Sequence, residues 1–81
     1  MKIKVLFFAR LKEIFGQSYR TITVNDGASI NEVVWLLSQE SKELAQNEIP
    51  LIYAVNENFE EGDKTLKSLD ELAIMTPMSG G

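Results

Sequence analysis

Ser29-Ile30-Asn31-Glu32-Val33-Val34-Trp35-Leu36-Leu37 is the stretch from which the fold is best read. Ser29 and Glu32 have capping-box spacing, so the serine oxygen can accept from one orphan amide at a helix start while the glutamate reaches back to another. Ile30, Val33, Val34 and Leu37 follow at i, i+3, i+4 and i+7, which lays a single apolar stripe along a helix. Leu44 is expected to extend that stripe by one turn. Trp35 falls on the opposite side of the helical wheel. We expect the segment after the helix to cover it, with contact to a partner as the other reading. A Ser-x-x-Glu box carries no catalytic meaning, so this helix is scaffold.

The residues before the helix read as two strands. Lys2 to Phe8 alternate, with Ile3, Val5 and Phe7 on a core face and Lys2, Lys4, Leu6 and Phe8 on the other. The second face begins charged and turns apolar. Leu6 and Phe8 there are either a partner patch or covered by a loop. Ala9 to Phe15 reads as a short helix, with Leu11, Ile14 and Phe15 at i, i+3 and i+4 and Gly16 at the C-cap. Tyr19 to Val24 is the second strand, and Asp26-Gly27 a turn.

Beyond the helix, Asn47 to Pro50 is a connector and Leu51 to Val55 a third strand, ended by an Asn56-Glu57-Asn58 turn. Phe59 is a large apolar residue beside that loop. Glu60-Glu61-Gly62-Asp63 clusters carboxylates without the ligand spacing of a calcium loop and reads as a solvated turn, so no metal site is expected. Thr65 to Leu69 is expected to form a short edge element. Leu72 to Thr76 is the last strand, with Leu72 and Ile74 on one face and Ala73 and Met75 on the other.

Two strands, a crossing helix and later strands on one sheet describe an α+β roll. This is the β-grasp or ubiquitin-like arrangement, a mixed sheet of about four to five strands with one main helix packed on one face. The domain is expected to span residues 1–76, with 77–81 as a flexible tail. In that arrangement the first and last strands lie side by side in mid-sheet. Phe8 and Met75 would then meet on the face away from the helix and, with Phe59, form a docking patch.

Composition narrows the chemistry. The chain has 81 residues, room for one small domain. Such a domain buries only roughly 60% of its unfolded surface, which argues against a deep cleft of its own. Its 44% hydrophobic and 25% charged residues are ordinary for a globular protein. No apolar run approaches the ~20 residues that span a bilayer. Met1-Lys2-Ile3-Lys4 leads straight into a strand, without a signal-peptide pattern, so a cytoplasmic location without membrane association is expected. A formal net charge of −4 with scattered basic residues argues against nucleic acid. The sequence holds no histidine and no cysteine. The usual neutral-pH acid–base group, the thiolate nucleophile and the zinc–thiolate site are therefore missing.

The ending Ile74-Met75-Thr76-Pro77-Met78-Ser79-Gly80-Gly81 stands apart. Pro77 cannot donate to a ladder and helps end the strand. Met78 and Ser79 are uncharged, and Gly80 and Gly81, lacking Cβ, can thread a narrow channel. The Gly81 carboxylate would be sterically open to activation. A flexible end that carries glycines by chance is the plainer reading.

Val5-Leu6-Phe7-Phe8-Ala9-Arg10-Leu11-Lys12-Glu13, Ala54-Val55-Asn56 and Pro77-Met78-Ser79-Gly80-Gly81 together resemble the MoaD-type sulfur carriers, the small subunits of molybdopterin synthase. The likeness covers the whole chain. It departs from the pattern at Ser68-Leu69-Asp70-Glu71 and at Thr76-Pro77, neither of which touches the terminus. The resemblance implies that an E1-like enzyme adenylates Gly81 with ATP and magnesium, and that a sulfur donor converts it to a thiocarboxylate. The tail, Gly80 included, then enters the large synthase subunit and passes sulfur to cyclic pyranopterin monophosphate. It also implies a heterotetramer and no cofactor held by this chain; the binding residues are then expected to be the Phe8, Phe59 and Met75 patch read from strand period together with Pro77, Met78 and Ser79 of the tail. A thiamine-type sulfur carrier, a ubiquitin-like protein modifier and a plain β-grasp interaction module are the alternatives.

Overall fold

The computed structural model describes residues 1–77; Met78, Ser79, Gly80 and Gly81 lie outside the described residues. In chain order the elements are β1 (Lys2–Phe7), α1 (Arg10–Phe15), β2 (Tyr19–Thr23), α2 (Ile30–Ser38), α3 (Lys42–Ala45), β3 (Ile52–Val55), β4 (Asn58–Glu60) and β5 (Glu71–Met75). The five strands form one mixed sheet of order β2-β1-β5-β3-β4. β1 and β5 run parallel in the middle, with Phe7 opposite Ile74, and the other neighbours are antiparallel. This is the β-grasp roll, with first and last strands adjacent as the order of elements predicts.

Strand period decides what the sheet buries. Ile3, Val5 and Phe7 of β1 and Leu72 and Ile74 of β5 point to one side and are essentially inaccessible. There they meet Ile30, Val33 and Leu37 of α2, with Leu11, Leu44 and Leu66 closing the cluster. Phe7 also stacks on Phe15 of α1, ring centroids 4.6 Å apart. Tyr53 is partly buried beside this core, and desolvation pushes its phenol up from the ordinary tyrosine value. α1 ends at Gly16 in the left-handed region, φ 67°, a conformation that lets its N–H cap the Lys12 carbonyl at 2.9 Å.

The start of α2 is anchored from two sides. The Glu32 amide donates to Ser29 Oγ at 3.3 Å, which is half of the expected capping box; among the described residues the Ser29 amide donates no return bond to the Glu32 carboxylate. The remaining orphan amides find backbone acceptors, Ile30 N–H on Lys64 and Asn31 N–H on Gly62. This explains one departure from expectation. Residues 65–69 are not an edge strand of the sheet: Thr65 makes an isolated bridge to Ser29, and Leu66 is buried beneath it.

Three other expectations are corrected. Leu44 is in the core, but α2 stops at Ser38 and Leu44 belongs to α3, which restarts with Ser41 Oγ as its N-cap. The chain turns away after α2, so Trp35 is not covered and remains 62% exposed. Asn58 and Phe59 belong to β4, paired with Val55 and Ala54, and the hairpin turn is Asn56-Glu57 alone. Both turn residues have positive φ, 49° and 72°, as a mirror-image two-residue turn requires. Asn56 holds this strained turn by side-chain bonds: its Nδ2 donates to Asp70 at 2.9 Å, and its Oδ1 accepts from the Glu71 amide at 3.0 Å.

Urea denaturation would separate these contributions. Ile30→Ala should lose about 2–5 kcal/mol, because it opens a cavity beneath the sheet. Ser29→Ala should lose about 1 kcal/mol, the usual size for one N-cap bond.

Candidate functional site

The face of the sheet turned away from α2 carries the feature most unlike scaffold. Cross-strand register places Tyr19, Leu6, Ala73, Ala54 and Phe59 in one row across all five strands. At a strand spacing of about 4.8 Å, such a row runs roughly 19 Å. A second row, two residues further along, holds Met75 opposite Ile52, and Phe8 lies beside Met75 just past the end of β1. The two alanines in mid-row are short where their neighbours are long. The result is a shallow concavity of about 310 Å³ whose lining includes Leu6, Phe8, Ala54, Phe59, Ala73 and Met75.

The expected trio of Phe8, Phe59 and Met75 is therefore brought together on one surface. Phe59 is 76% exposed and Phe8 47%. No loop covers Leu6 and Phe8. Sequence reading placed Ala73 on Met75's face but gave no part in the site to Ala54, Ile52 or Tyr19. Their signal was present in the period-two alternation of β2 and β3, but it needed the sheet order before it could be used.

Local backbone aims Phe8. Its amide donates to the Ile74 carbonyl at 3.2 Å, so it continues the β1–β5 ladder one residue beyond the strand. The chain then reverses through Ala9, whose φ of 49° and ψ of −121° are unusual for a residue with a Cβ. The Leu11 amide closes that turn on the Phe8 carbonyl at 3.0 Å. Phe8 is thus fixed by backbone bonds on both its N–H and its C=O while its ring stays accessible. A strained conformation of this kind costs of order 1–3 kcal/mol and has to be supported by surrounding structure.

Charge is graded along the same face. Lys4 lies opposite Glu71 and over the Tyr19 ring, 4.8 Å from its centroid, and Glu57 stands at the rim of the concavity. The opposite end, with Phe8, Met75 and Ile52, is apolar. β5 runs toward that apolar end, and Thr76 and exposed Pro77 continue from it outside the ladder. Of the expected site residues, Met78, Ser79, Gly80 and Gly81 lie outside the described residues.

Among the described residues no polar or charged side chain is buried, and no group of three or more carboxylates is placed to hold a metal ion. Residues 60–63 supply a β4 terminus and a turn, with Glu60 within 3.6 Å of Lys64. The chemistry that the described surface offers is recognition of an apolar partner surface next to the start of the C-terminal segment.

Comparison with known proteins agrees with this architecture. Residues 5–81 match the ThiS family model. The molybdopterin synthase sulfur carrier subunit of Chlamydomonas reinhardtii is 31% identical, with 100% of both chains covered. Among solved structures, SAMP1 from Haloferax volcanii superposes with a TM-score of 0.83 at 20% identity, covering 100% of each chain. A chain from the complex of subunits 1 and 2 of molybdopterin-converting factor from Helicobacter pylori gives 0.70 at 21%, again over 100% of each. At such identities the two structures bear on the fold alone. No helix among the described residues is long and apolar enough to cross a membrane. A family match that runs nearly from end to end, on a β-grasp sheet of this order, means that the chain belongs to the ThiS family.

Proposed function

We propose that this chain is the sulfur carrier subunit of a molybdopterin synthase, working in the cytoplasm. The observation that carries the proposal is the full-length similarity, at 31% identity, to proteins that bear that name. The apolar sheet face beside the start of the C-terminal segment supports it, because a carrier must hold a partner while presenting its end.

The chemistry would reside at Gly81. An E1-like enzyme transfers AMP from magnesium-bound ATP to the Gly81 carboxylate and releases pyrophosphate. A donor at the oxidation level of sulfide displaces AMP and leaves a thiocarboxylate. In the active site of the large subunit, that sulfur displaces an oxygen substituent from a carbon of cyclic pyranopterin monophosphate to give a thioester, and water then cleaves the acyl–sulfur bond, leaving sulfur on the pterin and returning Gly81 as the carboxylate. A chain with no cysteine and no histidine supplies neither a thiolate nor an imidazole to any of these steps. Its contribution is delivery. ATP and magnesium belong to the activating enzyme, and this chain holds no cofactor.

Binding must offset the ordering of the last residues, which costs about 1–2 kcal/mol of backbone entropy for each one fixed. The Phe8, Phe59 and Met75 face would supply that offset. Full burial of one large apolar side chain contributes roughly 1.5–3 kcal/mol. The uncharged tail, Pro77 to Gly81, would enter a partner channel at little desolvation cost.

Intact mass after incubation with a cognate activating enzyme, ATP and sulfide tests the chemistry. The expected result is a gain of the difference between sulfur and oxygen, localised to Gly81 and dependent on ATP. An unchanged mass, with the enzyme active on another carrier, would overturn it; lysine conjugates through Gly81 would instead mark a protein modifier. Titration calorimetry with the large subunit tests the face. Phe59→Ala and Phe8→Ala should each weaken binding about tenfold or more, roughly 1.4 kcal/mol. The unfolding free energy of Phe59→Ala should stay within about 0.5 kcal/mol of the parent, since that side chain is 76% exposed.

A further inference from the structure

A second concavity, of about 390 Å³, opens on the other side of the molecule between the end of β2 and the outer face of α2. Thr23, Val24, Asn25, Glu32, Trp35 and Leu36 line it. Trp35 is 62% exposed and Leu36 44%, an apolar pair on a helix whose core stripe is already satisfied.

Two independent features meet there. The first is an open sheet edge, since β2 is the outermost strand on its side. Val24 N–H donates to the Met1 carbonyl and Phe7 N–H to the Ser18 carbonyl. Antiparallel alternation then turns the N–H and C=O groups of Tyr19, Thr21 and Thr23 away from β1 and outward. β2 has few of the usual protections of an edge. It has no proline, its register with β1 is continuous from Tyr19 to Thr23, and its one basic residue, Arg20, is held by Gln17 and Glu40 at 2.7 Å each.

The second feature is charge. Glu32 is the one acidic or basic residue among those lining the groove, and among the described residues it has no basic partner. It sits three residues before Trp35, so the two side chains are neighbours on one helix face. The nearby ammonium of Met1 is engaged by the Val24 carbonyl at 2.7 Å and by Asp26 at 3.5 Å. An accessible indole beside an unpaired carboxylate favours a cation on an apolar stem, which can lie over the ring and meet the carboxylate.

The geometry points to a docking site for an extended segment of a partner protein that pairs with the β2 edge and sets a lysine or arginine into the Glu32–Trp35–Leu36 groove. Main-chain bonds to Thr21 and Thr23 supply the pairing, and the groove selects the side chain. The site lies on the helix side of the sheet, opposite Phe8, Phe59 and Met75, so both surfaces can be occupied at once. It does not depend on the sulfur-carrier reading.

Trp35 is the single tryptophan of the sequence, so its fluorescence reports on the groove directly. The probes are blocked Thr-Val-X-Val-Thr peptides with arginine, lysine, leucine or glutamate at X, titrated into the full chain. The arginine and lysine peptides should shift Trp35 emission and the Thr21 and Thr23 amide resonances, and should bind about tenfold or more tightly than the glutamate peptide. Glu32→Gln, an exposed change, should remove most of that preference with the amide spectrum otherwise preserved. Absence of any shift at Thr21 and Thr23 with millimolar peptide would overturn the proposal, as would glutamate or leucine binding as well as arginine. So would a concentration-dependent dimer that Thr21→Pro dissolves, because a second copy would then be the occupant of the edge.

Discussion

The parallel pairing of β1 with β5 is the constraint on which the rest of the molecule depends. It joins the first and last strands of the chain, so every other element is an excursion between two neighbouring lines of the sheet. Parallel neighbours cannot be joined by a tight turn. The connection has to cross a face, and here α2 does the crossing and buries that face. Lys4 to Phe7 on one side and Glu71 to Ile74 on the other are held in register by bonds that continue past both strand ends, from Lys4 N–H to the Asp70 carbonyl and from Phe8 N–H to Ile74. The same ladder sets Phe8 beside the start of the C-terminal segment. Fold and site share one cause.

The two faces of this sheet are put to different uses. The helix-covered side is dry and densely apolar, and its residues are interchangeable with others of like volume. The other side leaves Phe8, Tyr19 and Phe59 exposed around two alanines, a surface that buries less apolar area than the helix-covered one. Lys4, Glu57 and Glu71 bring charge to the end of that face opposite Phe8, Met75 and Ile52, which keeps the apolar part small.

Electrostatics contributes pins more than strength. Arg10 bonds Glu43 on both carboxylate oxygens, at 2.8 and 2.7 Å, and Glu13 at 3.1 Å, which ties α1 to α3. Glu43 first and Glu13 second hold its guanidinium further toward the charged form, yet the cluster is open to water, and exposed pairs of this kind add little to stability. Arg20 differs in one respect. Its guanidinium lies 5.4 Å from the Phe15 ring as well as bonding Gln17 and Glu40, so it covers the stacked Phe7–Phe15 pair at the margin of the core.

Much of this was written in local chemistry. The alternation of Ile3, Val5 and Phe7, the stripe of Ile30, Val33 and Leu37, the Ser29 cap and the Gly16 stop are decided by side-chain period and backbone propensity, which act within a few residues. They were sufficient to determine an α+β roll and to put Phe8 and Met75 on one face. β4 escaped because three residues are too few to show a period, and its pairing is fixed by the positive-φ Asn56-Glu57 turn and its tie to Asp70. The exposure of Trp35 and the separate α3 escaped because they depend on where the chain goes after Ser38, which is a long-range packing outcome. Likewise the Tyr19-to-Phe59 row and the open β2 edge exist only once five strands have a spatial order. Local pattern marked the apolar faces of β1, α2 and β5; the burial of residues off those faces, and which exposed residues stand together, came from tertiary packing, because adjacency across a sheet is settled by hydrogen-bond pairing between segments far apart in the chain.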